Sequence, residues 1–158
     1  MKSLATAGEA LVRLTHNLSA VLLALATILV FIQVVTRFIL GDAAVWSEVL
    51  ARGIIIWSTF LVAGAAFRTG TMIPIDFLRS LLPPSLQVWV VRLVMVLTLL
   101  FLGVLIWYGW AMAERVQNQR VAMLNVSMSV FYYALPVGAL CAIPGVLLRY
   151  AQAERGEL

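Results

Sequence analysis

The sequence is poor in residues that most soluble proteins rely on. It has one cysteine, Cys141, and so cannot close an internal disulfide or build a paired-cysteine metal site. It has one histidine, His16, and so cannot supply both axial ligands of a bis-histidine haem. Charged residues make up only 11%, against about 25% in typical soluble domains. There are seven acidic residues, and none lies between Arg13 and Arg37 or between Arg120 and Arg149. What fills the chain instead is apolar: 63% hydrophobic residues, with a mean hydropathy of +1.03. A chain of 158 residues with this composition cannot cover a water-facing surface, and it is too hydrophobic for disorder. The net charge is +4, but the basic residues are scattered between apolar runs, as membrane-flank charges are. They form no nucleic-acid surface.

The uncharged stretches set the organisation. Arg13 and Arg37 bound 23 residues, Arg52 and Arg68 bound 15, Arg92 and Glu114 bound 21, and Arg120 and Arg149 bound 28, with His16 counted as neutral. About 20 helical residues cross a hydrocarbon core of about 30 Å. The short second stretch reaches that length if its helix starts near Glu48 and Arg52 snorkels towards the headgroups. The predicted fold is therefore an all-α membrane domain over residues 1–158, with four transmembrane helices at about 16–36, 48–67, 88–112 and 126–148. Alternation of period two is absent, and a barrel would need many more strands. Span one is too long for an ordinary signal-peptide core and is read as retained.

Charge and aromatics orient the spans. Lys2, Arg13, Arg68, Arg79, Arg92, Arg149 and Arg155 fall on the side of the termini, and Arg37, Arg52, Arg115 and Arg120 on the other. Seven against four places both termini in the cytoplasm. Trp46, Trp89, Trp107, Tyr108, Trp110 and Tyr150 lie near span ends, where amphipathic rings favour the headgroup region. Trp57 is mid-span, in a position to pack against another helix or lipid. Between spans two and three, Pro74–Leu82 has the pattern of a short interfacial helix, stopped by Pro83 and Pro84. Asp42 or Ser47 is placed to cap the second span.

Nothing in the sequence reads as a catalytic constellation, a metal site or a cofactor site. His16 has no carboxylate partner in sequence, and Cys141 reads as a small apolar residue. Glu48 and Arg52 lie four residues apart on one helix face, which makes an ion pair available. Asp76 borders the cytoplasmic interface, where it can cap, pair with Arg79 or meet a partner. Packing signals are plainer. Ala134, Gly138 and Ala142 form a small-residue stripe on span four, Ala20 and Ala24 do so on span one, and Ala63–Ala66 narrow the end of span two. Pro136 and Pro144 can bend span four, and Pro136 removes the amide donor for the Tyr132 carbonyl.

The order of these motifs resembles the small membrane subunit (DctQ-like small permease) of tripartite ATP-independent periplasmic, or TRAP, transporters. Arg37-Phe38 ends span one where the family often has Arg-Tyr. Trp46-Ser47-Glu48 resembles its Trp-x-Glu element, and Arg68 to Asp76 its Arg-x-Gly-x-His-Ile-x-Val-Asp pattern. Tyr132 or Tyr133 with Leu135-Pro136-Val137-Gly138 resembles its late Tyr…Leu-Pro-x-Gly element. The chain departs from the pattern at Val49, where a second glutamate is frequent, at Met72, in place of histidine, and at Ser127, in place of proline.

The resemblance implies a non-enzymatic subunit of a secondary importer. A periplasmic binding protein would capture an organic acid. A large membrane subunit would hold the solute and sodium sites. The small subunit, with no cofactor of its own, would act as a scaffold in the lipid. Arg37, Trp46, Glu48, Arg52, Arg68, Asp76, Tyr132, Pro136 and Gly138 are then the candidate structural and partner-contact residues. Two other readings fit the composition: a self-assembling, holin-like pore, and the membrane anchor of a redox complex.

Overall fold

The computed structural model describes residues 2–41, 44–69, 84–121 and 123–154. Nearly all of them are helical. Helix α1 is Lys2–Val35, α2 is Val45–Thr69, α3 is Pro84–Arg115 and α4 is Ala134–Glu154, preceded by a single helical turn at Ser129–Tyr132. Four stretches are long and apolar enough to cross a membrane: Thr6–Leu40, Val45–Thr69, Leu86–Arg115 and Ser129–Gln152. Helix α1 begins well before residue 16, because Leu4–Leu14 carries no helix breaker other than Gly8 and continues the same register. The expected interfacial helix at 74–82 lies outside the described residues.

The helices form a row, with α1 beside α2, α2 beside α4, and α4 beside α3. Helix α1 also touches α4, at Gly8 against Pro144 and Leu148. Helices α2 and α4 run in the same direction and occupy the middle, whereas α1 and α3 present most of their surface outward. The residue types explain this order. Lipid tails are as apolar as leucine, so exposing Leu, Ile and Val to lipid is not penalised and burial gains little. Small residues instead allow close backbone approach, and they concentrate on α2 and α4. Ala51, Ala65, Ala134, Ala139 and Ala142 are all buried.

The ends of the helices follow local chemistry. Helix α1 ends in one wide π turn, Thr36–Leu40, and stops at Gly41, whose φ of 72° suits glycine. Ser47 does not cap α2 as expected. It lies inside the first turn, fully buried, and its hydroxyl donates to the Ala44 carbonyl at 2.7 Å. The cap is lost because α2 starts at Val45, two residues before the serine. Asp42 lies outside the described residues.

Candidate functional site

Polar side chains gather at the two ends of the bundle. At one end, Glu48 in the first turn of α2 accepts from Arg52 at 2.9 Å and from the Gln33 amide of α1 at 2.8 Å. The helical spacing of Glu48 and Arg52 made their pair available, and it forms. Gln33 had no signal in the sequence, since its partner lies across a chain reversal. Arg52 remains well exposed, and Trp46 lies exposed six residues before it, at the start of α2. Arg37 sits on the π turn, with its guanidinium 5.9 Å from the centre of the Phe38 ring.

At the other end, Arg68 in the last turn of α2 spans two helices. It donates to Gln152 of α4 at 2.6 Å and to Glu9 of α1 at 3.3 Å. One guanidinium thus ties three helices, a geometry that suits the forked donors of arginine. Neither Glu9 nor Gln152 stood out in the sequence, because each lies more than fifty residues from Arg68. Asp76 lies outside the described residues.

Between these clasps runs a seam of glycines. On α2, Gly53 faces the Phe131 ring, and the backbone of Gly64 faces the Cys141 carbonyl. On α4, Gly138 faces Phe60, and Gly145 faces the carbonyl of Gly64. A Cβ added at any of these positions would collide with a neighbour. Pro136 is fully buried and fits against Gly109 of α3, with its Cδ 2.9 Å from where a Cβ would stand there. The span is broken beside it: the helical turn ends at Tyr132 and helical bonding resumes with the Val137 amide donating to Tyr133. Trp57 supplies a donor near this break, its indole N–H reaching the Val130 carbonyl at 3.1 Å. Tyr133 meets Trp110 edge to face at 5.5 Å, while Tyr132 is half-buried at the end of the turn.

Two smaller features complete the set. Ser58 donates to the Ser19 carbonyl at 3.0 Å, bonding α2 to α1 within the apolar zone. The connection from α3 to α4 closes on itself. The Val121 amide donates to Val126, the Met128 amide to Gln119, and Arg120 to both oxygens of Asn125. Among the described residues no group of three or more histidine, cysteine or acidic residues is placed to hold a metal.

The family model for tripartite ATP-independent periplasmic transporters, DctQ component, matches residues 26–155. The chain belongs to this family. DctQ components are transport subunits and not enzymes, so this is a small permease component of a TRAP transporter and a multi-pass membrane protein. It is also similar to the sialic acid TRAP transporter small permease protein SiaQ of Vibrio cholerae serotype O1. The two are 30% identical over 142 residues, which cover 90% of this chain and 76% of the relative. The DctQ match takes in Gln33, Glu48, Arg68, the glycine seam and Gln152, but begins after Glu9 and Ser19.

Proposed function

We propose that this chain is the scaffold subunit of a three-part importer. It works with a large membrane subunit and a periplasmic solute-binding protein, and uptake of an organic acid is driven by sodium. The observation that carries this reading is the separation of polar from apolar contacts in a DctQ chain. Ionisable pairs sit at the two ends, at Glu48–Arg52 and Glu9–Arg68, while glycine, serine and indole contacts fill the space between. Solute and ion passage normally uses polar groups at membrane depth. A subunit arranged this way holds helices in position and leaves the sodium and solute sites to its larger partner.

The excess of basic residues on the side of the termini favours an inner-membrane protein with both termini in the cytoplasm. The Arg68 clasp then faces the cytoplasm. The Glu48 clasp, with Trp46 and Arg37, faces the binding protein. Arg68 and Pro136 with Gly138 serve to fix helices, and Asp76 belongs to the cytoplasmic connection. Sialic acid is itself a carboxylic acid and belongs among the solutes to be tried.

The test is co-purification of the chain with the large subunit, followed by uptake into proteoliposomes with the matching binding protein. Uptake should require an inward sodium gradient, and Glu48→Ala should lower complex yield or uptake. A chain that purifies stably with no large hydrophobic partner would overturn the reading.

A further inference from the structure

Helix α3 touches the rest of the bundle along one side only. Leu102, Gly109 and Ala113 are buried on that side. Leu102 packs into the cluster formed by Ala139, Ala142 and Val146 of α4, and Gly109 meets Pro136. The opposite side carries Trp89, Leu93, Val96, Leu100, Val104 and Trp107, all exposed. Trp89 is 70% exposed and Trp107 75%, the former near the start of the helix and the latter in its last third.

The spacing of the two rings matters. Eighteen residues separate Trp89 from Trp107, which is about five full helical turns, so the rings point the same way. The same interval rises about 27 Å, close to the thickness of a hydrocarbon core. Two indoles on one face, one core-thickness apart with only Leu and Val between them along the stripe, match the two interfacial belts of a lipid-facing helix. Trp110, off this face, is used differently: its indole donates to Glu114 and its ring packs on Tyr133. A close-packing helix partner would need small residues a turn apart. Gly103 borders the stripe, but the residues four before and four after it are Leu99 and Trp107.

We propose that the Trp89–Trp107 face of α3 is the lipid face of the subunit. The two indoles lie in the opposite headgroup layers and fix the depth and tilt of α3, so acyl chains and not another protein cover this stripe in the assembled transporter.

The experiment places a nitroxide at Leu100→Cys in a Cys141→Ser background, with the complete transporter expressed, and reads it in native membranes. Val88→Cys and Tyr108→Cys report the two ends. Collisions with oxygen, which concentrates in hydrocarbon, should exceed collisions with a water-soluble nickel chelate several-fold at Leu100. The ratio should fall towards both ends. A label at Leu100 that is immobilised and shielded from both reagents would mean that protein covers the stripe, and a label reached by the nickel chelate would mean that water does. Either result overturns the proposal. Absence of a large partner would refute the importer reading and leave the collision result standing.

Discussion

Replacing Gly64 by alanine should loosen the whole bundle, because the added carbon has nowhere to go. It would stand 2.7 Å from the Cys141 carbonyl oxygen and 3.3 Å from the Ala142 Cα, both backbone atoms that cannot rotate aside. Restoring an ordinary contact of about 3.4 Å requires α2 and α4 to part by about 0.7 Å. A gap of that size forfeits about a quarter to a half of each dispersion contact along the seam. Overpacking of this kind costs about 1–3 kcal/mol, or about 5- to 150-fold in an equilibrium constant. The lone Cys141, half-buried beside the seam, gives the assay. Its alkylation can be followed in mixed micelles as the fraction of denaturing detergent rises. Gly64→Ala should shift the midpoint to lower detergent, and Gly145→Ala, which would press on the Gly64 carbonyl, should do the same. Gly103→Ala meets nothing within 4 Å and should leave the midpoint unchanged or raise it. Equal midpoints for Gly64→Ala and Gly103→Ala would refute the reasoning.

Two further substitutions test the contacts around the seam. Arg68→Lys keeps the charge but cannot hold Gln152 and Glu9 with one planar fork, so it should recover less than half of the stability lost in Arg68→Ala, read by the same alkylation midpoint; full recovery would show that charge alone suffices. Trp57→Phe removes the donor to the Val130 carbonyl and should cost about 1 kcal/mol, with faster backbone hydrogen exchange over residues 129–134 as its local signature.

The four helices were legible because each follows from a long uncharged run, and the run is a property of the chain itself. The Glu48–Arg52 pair was legible for a similar reason, since four residues on a helix is a fixed geometry. The stripe Ala134, Gly138 and Ala142 correctly marked the packed face of α4. Partners at long range were not legible. Nothing local distinguishes Gln33 or Gln152 from any other glutamine, and Glu9 sits in a segment that reads as a flank. Trp57 was placed mid-span as a packing residue, but its hydrogen bond depends on where Pro136 interrupts a different helix. Ser47 misled because it is a favoured cap residue that lies two positions inside the helix.

The pairing of α2 with α4 has a consequence for how the protein is made. Helices α1 and α2 are synthesised first and can meet at once through Ser58 and Ser19. The partner for the other side of α2 is α4, which leaves the ribosome after α1, α2 and α3. Until it arrives, Gly53 and Gly64 face no packed neighbour from α4 or its preceding turn, the Trp57 indole has no carbonyl to bond, and Arg68 lacks Gln152. The seam therefore closes only after the other three helices have been made. A nascent chain stalled before residue 129 would present an unfinished α2 to the membrane's quality-control machinery.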